Sequence, residues 1–224
     1  MINSLKSDSF FSLRSDLFTR IFEKYKYPWE ILPHIRVIAE QLIMCGMDGY
    51  TLISDGVLIG KDTRIDKSAH IEGPCIIGHG CEVRHGAYIR GSVIIGDRCV
   101  IGNSSEIKNS IMMDGSQVPH FNYVGDSVLG EKSHLGAGAI CSNLRSDGRN
   151  VVITGEGISL DSGFRKFGAI LGDNTEIGCG AVLCPGTVIG KSTTVYPLTL
   201  TRGVYPEYSI IKNDGSVAKK VASE

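Results

Sequence analysis

His120 is the residue best suited to moving a proton, because imidazole titrates near neutrality. It also sits in an unusual run, Val118-Pro119-His120-Phe121-Asn122-Tyr123-Val124-Gly125-Asp126. A histidine there would take the proton from an attacking amine. The plain alternative is an exposed or hydrogen-bonded ring with no chemistry. The other five histidines, at 34, 70, 79, 85 and 134, read as surface or packing residues. Arg90 and Lys108 are 18 residues apart. Where 18 residues make one turn of a coil, these two cations stack, and a phosphate between them would relieve their repulsion. Arginine suits paired hydrogen bonds to such an anion and lysine acts as a point charge. Splayed, solvated side chains neutralised by Glu72 or Asp126 are the alternative. Gly136-Ala137-Gly138 would let a ligand approach backbone N–H groups closely enough to stabilise an oxyanion, although glycines also make corners.

The elements that hold these residues follow from a repeat. Stepping by six from Ile59 meets Ile65, Ile71, Ile77, Val83, Ile89, Ile95, Ile101 and Ile107, and a second run reads Leu171, Ile177, Leu183, Ile189 and Val195. Neither a helical nor a strand period explains this spacing, whereas a parallel β-helix does, with three short strands per coil and a coil of about 18 residues. Residues one coil apart then stack in columns about 4.8 Å apart. Gly60, Gly78, Gly96, Gly102, Gly172, Gly178 and Gly190 are expected at tight corners in backbone conformations barred to other residues.

The fold expected is therefore all-β over 49–212. Between Met113 and Gly168 the spacing falters through Val118, Val124, Leu129 and Leu135, and the polar stretch 142–166 reads as a loop ejected from the rod to cover a site. Residues 1–48 lack the repeat. Ile31, Ile35, Ile38 and Leu42 fall on one helical face, so a helical cap over the open end of the rod is expected there, shielding the first coil from edge pairing. The tail 213–224 is polar and expected to fray.

A net charge of -1 and the lack of a long apolar stretch point away from nucleic acid and membrane, and the mixed N-terminus does not read as a signal peptide. The cytoplasm is the expected place. Seven cysteines without a CxxC pair argue against a disulfide framework or zinc knuckle. Metal is not expected, because His79 and His85, six apart, belong on different faces of one coil, unlike the converging zinc ligands of γ-class carbonic anhydrases.

The repeat, the segment from Val118 to Asp126, Gly136-Ala137-Gly138, Asn143-Leu144-Arg145 and the run from Arg165 to Asp173 together resemble the acetyltransferase domain of bifunctional sugar-1-phosphate nucleotidylyltransferase/acetyltransferases, the archaeal type above all. The resemblance covers roughly residues 50 to 212 and implies a left-handed coil. It also implies a homotrimer that carries acetyl from acetyl-CoA to the amine of glucosamine-1-phosphate or galactosamine-1-phosphate. In that reading His120 is the base, Arg90 and Lys108 hold the sugar phosphate, Tyr123 and Asn143 position the sugar, and Lys166 lies near. Ala137 N–H would face the acetyl carbonyl, and Cys179, Pro197 and Lys212 would line the coenzyme groove. Arg149, Arg165 and Arg202 are further cations suited to coenzyme phosphates. The nucleotidylyltransferase half has no counterpart here, so sugar-nucleotide synthesis is not expected. A rival reading from another class is a non-catalytic trimeric module that binds a sugar phosphate or nucleotide sugar beside a separate nucleotidylyltransferase.

Overall fold

A computed structural model describes residues 5–155 and 157–220. The rod is the parallel β-helix of stacked coils that the hexapeptide led us to expect. Its first face is a nine-stranded sheet that includes Val57–Gly60, Cys75–Ile77, Val93–Ile95, Ser110–Met112, Val128–Leu129, Ala169–Leu171 and Thr187–Ile189. A seven-stranded second face runs from His70–Ile71 through Glu106–Lys108 and Tyr123–Gly125 to Leu200–Thr201. A nine-stranded third face includes Val100–Asn103, Gln117–His120 and His134–Leu135. The sixth-position aliphatics point inward and form one buried column of contacts from Ile59 to Ile211.

Most coils advance by 18 residues, as in Ile59↔Ile77↔Ile95. The faltering spacing has a local cause. Ile107 pairs with Val124, and Ile111 with Val128, so these coils are one residue short. The missing residue lies at the corner between the second and first faces. Asn109 and Asp126 turn that tighter corner with φ of 43° and 49°, the left-handed region that Asn and Asp tolerate better than other side-chain-bearing residues.

Small polar residues at the corners close the backbone accounts. The Cys81 N–H donates to Thr63 Oγ1 at 2.9 Å, and the Cys99 N–H to Cys81 Sγ at 3.3 Å. Likewise the Ser127 N–H donates to Ser110 Oγ at 3.1 Å, and the Ala169 N–H to Ser127 Oγ at 2.9 Å. Each supplies a buried N–H with an acceptor that the next coil does not otherwise provide.

The expectation for the hexapeptide glycines needs correcting. None of Gly60, Gly78, Gly96, Gly102, Gly172, Gly178 or Gly190 has positive φ. They are glycine because the next coil lies against them: a Cβ on Gly178 would sit 2.3 Å from the Pro197 nitrogen, and one on Gly60 2.6 Å from the Gly78 carbonyl carbon. Left-handed corners fall instead to residues such as Asp62, Arg98, Lys132, Asn174 and Ser192.

The helices do not sit over the end of the rod. α1 (Ser7–Phe10), α2 (Asp16–Phe22), a 3-10 helix at Pro28–His34 and α3 (Ile35–Cys45) lie along its flank. The first face presents Leu58, Ile76, Ile94, Ile111, Val128, Ile170 and Val188 outward, and these pack with Phe11, Phe18, Phe22, Trp29, Ile31 and Ile35 in a second core. Burying each such aliphatic is worth about 1.5–3 kcal/mol, which a seven-residue apolar face can only gain under a cover. The edge of the first coil is paired instead by the antiparallel strand Tyr50–Ser54. Nor is 142–166 a free loop. Its centre is an antiparallel hairpin, Val152–Gly155 with Ile158–Asp161, and Val151 and Ile153 are buried in the flank core beside Phe167. Of the tail expected to fray, 221–224 lie outside the described residues, and the rest contributes the strand Val217–Lys219, antiparallel to Ser209–Ile211.

Candidate functional site

His120 ends a strand of the third face, and its ring is exposed at the corner leading to the second. Two features fix this corner. Phe121 takes a left-handed φ of 52°, and buried Asn122 reaches back to accept the His120 N–H at 3.0 Å. The Asn122 amide also donates to the carbonyls of Gly136 at 2.8 Å and Ala139 at 3.3 Å, so it joins the His120 corner to the next one. The Gly138 N–H donates to the His120 carbonyl at 2.9 Å. Sequence reasoning missed Asn122. Its only signal was an amide at a position where neighbouring coils carry Ser105 and Ala139.

Register places Ala137 one coil beyond His120. Because Leu135, Ile177 and Val195 pair in succession, Ala137, Cys179 and Pro197 stand two residues past them on the same corner. Lys212 follows Ile211, which pairs with Val195, and so belongs to the adjoining line with Gly136, Gly178 and Tyr196. The four residues expected in a coenzyme groove therefore share one edge of the rod. Ala137, Cys179 and Pro197 are exposed there, and no described backbone carbonyl accepts the Ala137 N–H. A thioester laid along this edge would meet that donor.

Across the second face the cations do stack: Arg90 follows Ile89, Lys108 follows Ile107, and these two pair. Each already has a carboxylate partner. Arg90 Nη1 is 2.8 Å from Glu106 Oε1, both side chains largely exposed, and its guanidinium lies over the Tyr88 ring at 5.8 Å. Lys108 Nζ is 3.4 Å from Asp126 Oδ2, and that pair is largely buried. The Glu72 carboxylate is engaged by the Tyr88 hydroxyl at 2.8 Å. Asn143, half-buried, donates its amide to Asp126, and lies beside Tyr123, whose hydroxyl also borders Gly125. Burial raises the Tyr123 hydroxyl above its ordinary pKa, helped by the nearby Asp126 and Glu106 charges and opposed by the Asn143 amide. Tyr123 is thus a neutral donor at physiological pH. Lys166 is exposed where Leu144 bridges to it across the base of the insertion, next to the Phe167 N–H that bonds the Asn143 carbonyl.

One copy of the chain does not bring all of these together. His120 and Asp126 stand beyond opposite ends of the Tyr123–Gly125 strand, six residues apart in the chain. Arg149, Arg165 and Arg202 are exposed and distributed over the insertion and the last coils. Arg165 Nε donates to the Gly148 carbonyl at 3.0 Å within the insertion. Cys141 is wholly buried and its thiol is pushed up to about 12 by burial, which removes it as a nucleophile. Among the described residues no three His, Cys, Asp or Glu side chains converge as metal ligands would.

Residues 71–165 match the family described as the GMPPB C-terminal domain. A bifunctional sugar-1-phosphate nucleotidylyltransferase/acetyltransferase of Sulfurisphaera tokodaii is 40% identical over 87 residues, which is 39% of this chain and 22% of that protein. The bifunctional protein GlmU of Methanococcus vannielii is 34% identical over 111 residues, 49% of this chain and 27% of that protein. The rod resembles a segment of these archaeal bifunctional proteins. The matched stretches thus span about a quarter of the length of those relatives. Among solved structures, AntD, an N-acyltransferase from Bacillus cereus in complex with dTDP and coenzyme A, aligns with a TM-score of 0.47 at 17% identity, over 80% of this chain and 92% of that one.

Proposed function

We propose that this chain is an acyltransferase that moves acetyl from acetyl-CoA to the amino group of an amino-sugar 1-phosphate, glucosamine-1-phosphate or galactosamine-1-phosphate. The observation that carries the reading is the edge on which an exposed imidazole, His120, precedes an unpaired N–H at Ala137 on the next coil, followed by exposed Cys179 and Pro197. The stretches shared with the archaeal bifunctional proteins support it.

In this mechanism His120 removes a proton from the sugar ammonium, freeing the nitrogen lone pair to attack the thioester carbonyl. The Ala137 N–H donates to the oxyanion that forms there. Collapse re-forms the carbonyl and breaks the carbon–sulfur bond, the protonated His120 returns its proton to the departing thiolate, and the second proton of the attacking nitrogen passes to solvent to leave the neutral amide. Arg90 and Lys108 hold the phosphate, Tyr123 and Asn143 orient the sugar, and Lys166 adds charge at the rim. Cys179, Pro197 and Lys212 line the coenzyme groove. No acyl-enzyme is required, since a deprotonated amine is nucleophile enough.

The working unit in this reading is a cytoplasmic homotrimer. Ile140, Val182 and Leu200 point outward from the second face without the cover that the first face has, and Leu198 and Leu200 are 78% and 67% exposed. Copies packed through that face would bury them. They would also bring the His120 edge of one copy towards the Lys108 corner of another, closing the gap along the strand. All seven cysteines are free, as expected of a reducing compartment.

The deciding experiment measures thiol release from acetyl-CoA with each amino-sugar phosphate, beside His120→Ala. Release that needs both the sugar phosphate and His120 is expected. Absence of release with every acceptor would leave a binding module in its place.

A further inference from the structure

Asp126 is a carboxylate with 5% relative exposure on which three side chains converge. Its Oδ1 accepts the Asn109 amide at 2.8 Å. Its Oδ2 accepts the Asn143 amide and lies 3.4 Å from Lys108 Nζ. Its backbone is equally committed, the N–H donating to the Lys108 carbonyl at 3.1 Å and the carbonyl accepting the Gly168 N–H at 2.8 Å. Asn109 passes the connection on, because the same amide nitrogen is 3.2 Å from the Leu32 carbonyl of the 3-10 helix. The left-handed, shortened corner makes this possible: with one residue fewer, the chain turns Asp126 in beside Lys108 instead of out to solvent.

A buried charge with so complete a set of partners is costly unless every partner is held in place, and it holds them in return. Two consequences bear on the site. A carboxylate can only accept, so the Asn143 amide must offer it Nδ2, which leaves the Asn143 carbonyl oxygen free to accept from a ligand. The Lys108 ammonium is likewise tethered on one side, with its remaining donors free.

We infer that Asp126 is the positioning residue of the sugar-phosphate half of the site, orienting Asn143 and Lys108 without touching the substrate itself. The inference rests on the acetyltransferase reading for the identity of the ligand, and on the geometry alone for the residue. An asparagine at 126 would keep the size but lose the charge, and its amide nitrogen would set donor against donor at either Asn109 or Asn143.

The test uses Asp126→Asn, Asn143→Ala and the double variant of the full chain, assayed by thiol release with sugar phosphate and acetyl-CoA varied in turn. Asp126→Asn is expected to lower kcat/KM for the sugar phosphate about a hundredfold, the scale of a misplaced positioning group, with KM for acetyl-CoA unchanged. The double variant is expected within about threefold of Asn143→Ala alone, because the two act through one contact. Additive losses would overturn the inference, as would equal damage to both KM values, which marks a general structural effect. Should Asp126→Asn not fold, Asn109→Ala removes one strut and keeps the charge. It is expected to cost about fivefold in the same constant, the worth of one hydrogen bond, and no change would overturn the inference. If the wild type releases no thiol, the transfer reading falls by itself. Calorimetric binding of glucosamine-1-phosphate to wild type and variant then decides the role of Asp126: at least tenfold weaker binding is expected, and equal affinity, or no binding to the wild type, overturns it.

Discussion

Gly102 lies so close beneath Pro119 that a Cβ on Gly102 would fall 1.5 Å from the Pro119 carbonyl oxygen. This contact holds the coil that carries His120 against the coil before it, and the obstruction is rigid backbone, which cannot swing aside as a long side chain would. Gly102→Ala is therefore expected to lower stability by about 3 kcal/mol, the upper end of overpacking, read as a shift in the urea midpoint. Gly163→Ala is the control. Gly163 has φ of 77° with nothing within 4 Å of a Cβ, so only backbone strain applies, about 1–2 kcal/mol. Equal shifts in the two variants would refute close coil approach as the reason for glycine at 102.

Glu106 competes for the cation assigned to the phosphate. The Arg90–Glu106 pair is 2.8 Å long but exposed, and exposed pairs are weak. Glu106→Gln should therefore lower KM for the sugar phosphate by about twofold, the scale of a weak surface pair, and leave kcat and KM for acetyl-CoA unchanged. A higher KM would mean that Glu106 holds Arg90 in its working position.

How much of this was legible beforehand differs by element. The inward column from Ile59 to Ile107 repeats every six residues, so the rod and the stacking of Arg90 over Lys108 followed from counting. The assignment of Ala137, Cys179 and Pro197 to the coenzyme came with the family resemblance, and the register sets the three on one corner. The carboxylate between Lys108 and Asn143 was not read as part of the site, because a one-residue deletion at a corner moves Asp126 inward and leaves only a gap of five in the spacing. The flank-bound helices were misplaced for another reason. Ile76, Ile94 and Ile111 are outward-facing neighbours of the inward column, and a period of six does not say which apolar residue needs an outside cover.

Tyr50 gives the alkaline limb of stability a specific origin. Its ring packs against His79 with centroids 4.6 Å apart, and burial first, then the negative groups Asp97, Cys81 and Asp114, raise its hydroxyl from 10.0 to about 12. The folded chain then holds this proton more tightly than the unfolded one. Stability is unaffected below pH 10 and falls as pH rises from 10 towards 12. The full shift would correspond to about 3 kcal/mol, and half-exposure reduces it to about 1 kcal/mol. Tyr50→Phe should therefore unfold at a higher temperature than the wild type at pH 12, after allowing for any difference between them at pH 8. Parallel curves across that range would exclude Tyr50 as the source.

Cys179 allows the coenzyme groove to be tested without any acceptor sugar. Of the seven thiols only Cys45 and Cys179 are exposed, and Cys75, Cys81, Cys99, Cys141 and Cys184 are buried. Iodoacetamide should thus alkylate two positions in the folded chain and the other five only after unfolding, as peptide masses would show. Cys45 closes α3 on the helical flank, whereas Cys179 shares its edge with Ala137 and Pro197. If the groove runs along that edge, saturating acetyl-CoA, which carries no free thiol of its own, should slow alkylation of Cys179 at least tenfold and leave Cys45 unaffected. Equal protection of both would indicate a global tightening of the fold. Protection of neither would remove Cys179 from the groove and, with it, the path assigned to the pantetheine arm beside Ala137.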